Sequence, residues 1–83
     1  MKYDVRIEVS LKPGYKDPEG ETTARLLKEL GYPVERVTVS KIYNLVLETE
    51  SKKIAGEQAD EICRRLLANP TKDNYKIVIE EER

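Results

Sequence analysis

Residues 3–12 alternate without interruption between apolar and polar side chains. The apolar positions are Tyr3, Val5, Ile7, Val9 and Leu11. The positions between them are Asp4, Arg6, Glu8, Ser10 and Lys12. A period of two predicts a β-strand with one buried face and one solvated face, which is the arrangement that antiparallel sheets tolerate.

Two later segments carry apolar residues at the spacings of three and four that are typical of an amphipathic helix. The first is predicted to begin at Pro18, with Asp17 as its N-cap, and to end at Gly31 in left-handed backbone. The second is predicted to begin after Ser51 and to end before Pro70, because the residue preceding proline avoids helical backbone. Its expected apolar face consists of Ile54 or Ala55, Ala59, Ile62, Cys63, Leu66 and Leu67.

Residues 34–50 lie between the helices and alternate in two stretches, which predicts two strands joined by a tight turn at residues 40–41. A final alternating stretch, from Tyr75 to Ile79, predicts the last strand. The order is therefore βαββαβ, and residues 1–83 are expected to form a single domain. We expect an α+β ferredoxin-like sandwich, in which two helices cover one face of a four-stranded antiparallel sheet.

Size and charge narrow the classes of function. A domain of 83 residues buries only about 60–65% of its unfolded surface, so a partner surface would add stability. Fifteen Lys and Arg against sixteen Asp and Glu leave a net charge of -1, which argues against nucleic acid as a partner. Neither an apolar leader nor a run of about 20 apolar residues is present, so we expect a cytoplasmic protein without a membrane partner.

The residue types argue against catalysis by this chain alone. Histidine is absent, which excludes Ser–His and Cys–His pairs as well as metal sites of the Cys/His kind. The single cysteine, Cys63, is interpreted as a small buried residue. The carboxylates fall on predicted polar faces, where they are solvated surface charges. We therefore expect no catalytic, cofactor-binding or metal-binding residue in this chain.

Two ligand-binding functions of βαββαβ chains are disfavoured. An acylphosphatase-like phosphate site requires an arginine in the loop before the first helix; Asn44 suits the strand position, but the loop carries Asp17, which repels anions. RNA-binding domains stack bases on sheet aromatics, whereas Tyr3 shares the buried face of its strand. Val46 and Val78 lie on the opposite face, either as a mildly apolar patch or as scattered surface valines.

Several motifs, in order along the chain, carry a resemblance to a known family. The segment DPEG at 17–20 is similar to a D-P-x-G helix start, and LKELGY at 27–32 is similar to L-x-x-L-G-Y. The segment CRRLLANP at 63–70 resembles C-x-x-L-L-x-N-P, and Tyr75 follows at the family's spacing. Ser40 replaces the glycine that is usual in the family's V-x-V-G-K turn. The chain thus resembles the PurS family, the small subunit of phosphoribosylformylglycinamidine synthase.

The resemblance implies a role in purine synthesis. It implies a non-catalytic subunit of an ATP- and glutamine-dependent enzyme that amidates formylglycinamide ribonucleotide. A large synthetase subunit is then expected to bind ATP and magnesium, and a glutaminase subunit to release ammonia. The small subunit is expected to form a homo-oligomer, a dimer or tetramer, that joins the two and helps ammonia pass between them.

Together with the positions of the motifs, the resemblance indicates candidate residues for surfaces between subunits. They are Asp17, Pro18, Gly20, Leu67, Asn69, Pro70 and Tyr75. A second function stays open: a free-standing ferredoxin-like regulatory module that binds a small metabolite at a dimer interface.

Overall fold

The computed structural model of the chain describes residues 1–82. In chain order its elements are β1 (Lys2–Leu11), α1 (Pro18–Glu29), β2 (Lys41–Glu48), α2 (Lys52–Ile62), a π-helical turn (Cys63–Leu67) and β3 (Asp73–Glu81). The strands form one antiparallel sheet in the order β2-β1-β3, so β1 is the central strand.

The core lies between the sheet and α2. In the register of the sheet, Ile7 of β1 is opposite Tyr43 of β2 and Ile77 of β3. The residues with the least exposed surface come from β1, α2 and the start of the π-helical turn: Val5, Ile7, Ala55, Ala59 and Cys63. The predicted alternation of β1 is confirmed, and its apolar face is the one that α2 covers.

Both helices begin as predicted. Asp17 caps α1, with Pro18 as its first residue, and Gly31 follows the helix with a φ of 93°. Ser51 caps α2, because its Oγ accepts a hydrogen bond from the backbone N–H of Ile54 at 3.2 Å. These local predictions are confirmed because each depends on residues that are neighbours in sequence.

The prediction of a four-stranded sheet was wrong, because the sheet of the described chain has three strands. Residues 32–40, which we call the arm, belong to no strand in the described part of the chain. The expected tight turn at residues 40–41 is absent: Lys41 is already paired with Val9 of β1. The physical reason is local, since residues 40–41 lack the Asn-Gly type of sequence that a two-residue hairpin turn favours.

The expectation that both helices cover the sheet was also wrong. Only α2 contributes to the core, and α1 makes sparse contacts with the other elements. Leu26 and Leu30 of α1 are 47% and 73% exposed. The radius of gyration is 16.4 Å, whereas a compact domain of this length has about 12 Å. We call the sheet, α2 and the π-turn the body, and α1 with the arm the arm unit.

A π-turn continues α2 and changes which leucine faces the core. The backbone N–H of Ala68 donates to the carbonyl of Cys63 at 2.9 Å, an i→i+5 bond that widens the last turn. Leu66 is consequently 81% exposed, whereas Leu67 is half-buried and Ala68 is buried. The prediction that Leu66 belongs to the apolar face was wrong, because it assumed regular α-helical spacing through this segment.

Candidate functional site

A groove lies at the end of the sheet where β1 ends and where both β2 and β3 begin. We call it the end groove; its cavity has a volume of about 250 Å³. Its lining comes from five segments of the chain: Val9, Ser10, Leu11, Asp17, Glu19, Val39, Lys41, Leu67, Lys72 and Asp73. The end groove is therefore the place where the body meets the arm unit.

Asp17 in the end groove uses both of its carboxylate oxygens. Oδ1 accepts a hydrogen bond from the backbone N–H of Gly20 at 2.9 Å, which is the N-cap bond of α1. Oδ2 accepts a hydrogen bond from the backbone N–H of Val39 at 2.7 Å, which ties the arm to the start of α1. The bond from Gly20, and after it the bond from Val39, lower the pKa of the Asp17 carboxyl below its ordinary value.

Gly20 lets the arm approach the first turn of α1. The residue is buried, and a Cβ built on its backbone would lie 2.3 Å from the carbonyl oxygen of Val37. That oxygen belongs to the backbone of the arm, so a side chain at this position would push the arm away. Glycine is thus required here by close approach and not by its own backbone angles.

The turn before β3 closes the other side of the end groove. Asn69 Oδ1 accepts from the N–H of Thr71, and the N–H of Asn69 donates to Asp73 Oδ2, both at 2.9 Å. The Nζ of Lys12 donates to the carbonyl oxygen of Pro70 at 3.0 Å. Asn69 and Pro70 are both exposed, and their bonds shape the turn.

Tyr75 contacts α2 and does not line the end groove. Its hydroxyl donates to Oδ1 of Asp60 on α2, and Arg64 Nε donates to Oδ2 of the same carboxylate at 2.8 Å. The bond from Tyr75, and after it the bond from Arg64, lower the pKa of Asp60. The bond to Asp60 raises the pKa of Tyr75. Tyr75 therefore fixes α2 to β3, within the body.

The chemistry that the described residues can support is limited. Cys63 is fully buried, and burial first and the charge of Asp60 second raise the pKa of its thiol. Within residues 1–82, no group of three or more His, Cys, Asp or Glu side chains is placed to hold a metal ion. In the same part of the chain, neither helix has the length and apolar character needed to span a bilayer.

The structure brings together some of the candidate residues and separates others. Asp17 and Leu67 meet in the end groove, next to Gly20, while Tyr75 lies under α2. Sequence reasoning missed the bond between Asp17 and Val39, which are 22 positions apart. Residues 40–41 lack the Asn-Gly type of turn sequence, but no signal in the sequence indicates Asp17 as the partner of Val39.

Comparison with known proteins fits this arrangement. The sequence model of the family described as "PurS: Phosphoribosylformylglycinamidine (FGAM) synthase" matches residues 4–81. The chain belongs to the PurS family. The resemblance in its motifs is thereby confirmed over nearly its whole length.

Individual relatives agree with the family. Phosphoribosylformylglycinamidine synthase subunit PurS of Archaeoglobus fulgidus is 42% identical over 79 residues, which cover 94% of this chain and 96% of that protein. Methanocaldococcus jannaschii PurS, one of the subunits of formylglycinamide ribonucleotide amidotransferase in the purine biosynthetic pathway, superposes with a TM-score of 0.87. It is 33% identical, with coverage of 98% of this chain and 99% of that one.

A third similar chain comes from an assembly. It belongs to the structure of PurLQS from Thermotoga maritima. That chain matches with a TM-score of 0.87 and 32% identity, covering 96% of this chain and 99% of its own. A chain of that assembly therefore shares the fold described above.

Proposed function

We propose that this chain is the small, non-catalytic subunit of a phosphoribosylformylglycinamidine synthase that also contains a synthetase and a glutaminase subunit. The single observation that carries the proposal is the family match over residues 4–81. The similarity to a chain of PurLQS supports a role in assembly. In this proposal the partners convert formylglycinamide ribonucleotide with ATP and glutamine, while this chain joins them and helps ammonia pass between them.

The residue chemistry supports placing catalysis in the partner subunits. The sequence has no histidine, and the raised pKa and burial of Cys63 are the reverse of what a thiolate nucleophile needs. We therefore assign ATP and magnesium to the synthetase subunit and no cofactor to this chain. We place the complex in the cytoplasm, as expected for an enzyme of purine synthesis.

The shape of a single chain supports a homo-oligomer of at least two copies. The body covers one face of its sheet with α2, while α1 projects with Leu26 and Leu30 largely exposed. The extents of 51 × 30 × 14 Å describe a thin, elongated molecule. A second copy of the same chain would cover this apolar surface without any other protein. Two-fold symmetric dimers are the commonest form of homo-oligomer.

The arm supports a specific way of pairing. Val37 and Val39 alternate with Arg36 and Thr38, which is a strand pattern without a sheet. β2 is an edge strand, so in the described chain its outer edge is open for another strand. In this arrangement the arm of each copy lies beside β2 of the other, and each sheet acquires the fourth strand that the sequence predicts.

Reconstitution with the synthetase and glutaminase subunits tests the function. Glutamine-dependent amidation of formylglycinamide ribonucleotide should require this chain, and the purified chain alone should show neither ATPase nor glutaminase activity. Full glutamine-dependent activity in the absence of the chain would contradict the proposal. So would turnover by the isolated chain.

Light scattering and thermal unfolding separate the remaining alternatives. A monomer at high micromolar concentration would contradict the homo-oligomer. The regulatory alternative predicts that a small metabolite raises the melting temperature of the isolated chain, as any ligand of the native state must. A scaffold of other subunits predicts stabilisation by those subunits instead.

A further inference from the structure

We infer that Asp17 and Gly20 form a latch that fixes the direction of the arm relative to α1 and thereby keeps the arm available to a second copy of the chain. The inference rests on the proposed pairing of copies and deepens it. It gives these residues a positioning role in addition to helix capping.

The first step is that the Asp17 carboxylate does more than cap a helix. An N-cap needs one side-chain oxygen, and Ser51 performs that task for α2 with a single hydroxyl. Asp17 offers a second oxygen, which accepts the N–H of Val39 at 2.7 Å. A bond to an ionised acceptor is stronger than one between neutral groups. The carboxyl of an aspartate is ionised at neutral pH, and the bonds from Gly20 and Val39 lower its pKa further.

The second step concerns the packing at Gly20, where an added Cβ would meet both the arm and the capping carboxylate of Asp17. Glycine lowers helix propensity, so alanine would be preferred in the first turn of α1. Yet a Cβ at Gly20 would lie 2.3 Å from the carbonyl oxygen of Val37. Glycine lowers the helix propensity of α1, but only its hydrogen atom leaves room at this position for the backbone of the arm.

The third step is that the latch holds the end of the arm that lies next to β2. The other backbone hydrogen bonds of the arm lie at its opposite end: the N–H of Tyr32 donates to the carbonyl of Leu27 in α1, and the N–H of Val34 donates to the carbonyl of Tyr32. None of the arm's residues belongs to the core cluster around β1. Without the latch, the described contacts leave the arm free to change direction at residues 39–41.

The fourth step concerns the alternative that the latch prevents. Residues 34–39 have the strand pattern that the sequence predicts, and the open edge of β2 follows directly in the same chain. An arm that folded back at residues 40–41 would pair with its own β2 and complete the ferredoxin-like sheet within one copy. Because Asp17 binds the N–H of Val39, the arm cannot fold back onto β2 of its own copy. The edge of β2 then stays open for the partner's arm.

Two pairs of variants test the latch, each with a matched control elsewhere in the chain. Gly20→Ala forces the arm away while raising the helix propensity of α1. Its control is Gly56→Ala in α2, where the added Cβ would meet only the end of the Ile79 side chain at 3.4 Å. Asp17→Ser keeps an N-cap but lacks the second oxygen, and its control is Ser51→Ala, which removes a cap that has no arm attached.

The measurement is the dissociation constant of the paired chain, from sedimentation equilibrium, with circular dichroism as a readout of helix content. Losing the bond between Asp17 and Val39, directly in Asp17→Ser and by displacement of the arm in Gly20→Ala, should weaken pairing about tenfold or more. Both controls should keep the dissociation constant within about twofold of wild type. In Asp17→Ser, the amide of Val39 should also exchange its hydrogen faster, since its acceptor is lost.

The outcomes are distinguishable. If the wild-type chain pairs and both latch variants pair equally tightly, the latch is wrong while the proposed function stands. If a latch variant loses pairing only together with its helix content, Asp17 and Gly20 are merely structural and the inference is overturned. If the wild-type chain is a monomer at high micromolar concentration, both the proposed homo-oligomer and the latch are overturned.

Discussion

The body of this chain is held together by apolar packing around β1, whereas in its arm unit the carboxylate of Asp17 bonds the arm to the first turn of α1. In the body, Ile7 and Val5 are almost completely buried, and α2 contributes Ala55 and Ala59 to the same core. In the arm unit, Leu30 projects into solvent. The comparison teaches that the two parts of one short chain differ in how completely a single copy buries their apolar side chains.

The largest expected effect lies in the body. Replacing Ile7 by alanine should lower the free energy of unfolding by about 2–5 kcal/mol, because the side chain is fully buried at the centre of the sheet. The matched substitution in the arm unit is Leu26→Ala. It should lower the free energy of unfolding of the monomeric chain by less than about 1 kcal/mol. Urea unfolding at low protein concentration measures both. Equal losses at the two sites would contradict the division into body and arm unit.

The second effect concerns pairing and should leave the body intact. Because consecutive N–H groups of an extended backbone point to opposite sides, the N–H of Thr38 points away from the side on which Val39 bonds to Asp17. Thr38→Pro removes that donor, so it should raise the dissociation constant of the paired chain about tenfold. Thr22→Ala, on the exposed surface of α1, is the control. Sedimentation equilibrium that gives the same constant for Thr38→Pro and wild type would contradict the exchange of arms.

A third, smaller effect should appear with pH. The pKa of Asp17 is lowered in the folded chain, so the latch is fully formed above the ordinary pKa of an aspartate, about 3.9, and is lost as the pH falls through the lower folded value. Pairing should therefore weaken by no more than a few-fold between pH 6 and pH 4 and more steeply below. The other charged residues that line the end groove are Glu19, Lys41, Lys72 and Asp73.

Asp17→Asn isolates the contribution of the latch to this pH dependence, since asparagine has one acceptor oxygen and no charge. The variant should pair more weakly than wild type at pH 6 and should lose most of the acid dependence. An acid transition of the same steepness in Asp17→Asn and wild type would assign the effect to the neighbouring charges instead.

The sequence predicts the short-range features of this chain better than its long-range contacts. The alternation of β1 and the caps at Asp17 and Ser51 are confirmed, because each depends on short-range patterns. The strand pattern around Val37 predicts a strand that the described chain does not form. The pattern does not specify whether such a strand pairs with β2 of its own copy or with β2 of a second copy, because both pairings use the same alternation.

The sequence also predicted the local role of the main residue of the candidate site but not its long-range contact. Asp17 was identified as a cap, and the family motifs that contain it are confirmed by the family match. Its second bond, to Val39, was missed because no local pattern relates residues so far apart in sequence. The exposure of Leu66 was missed because a single shifted hydrogen bond, to the carbonyl of Cys63, alters the helical period.

The smallest expected effect tests that π-turn. In a regular α-helix Leu66 would follow Cys63 on the buried face, whereas the π-turn leaves it 81% exposed and turns Leu67 inward. Leu66→Ala should therefore change the free energy of unfolding by no more than about 0.5 kcal/mol, because alanine is also a good helix former. Leu67→Ala, the neighbouring control, should cost about 1–2 kcal/mol since its side chain is half-buried. A larger loss at Leu66 than at Leu67 would mean that α2 continues in solution as a regular α-helix.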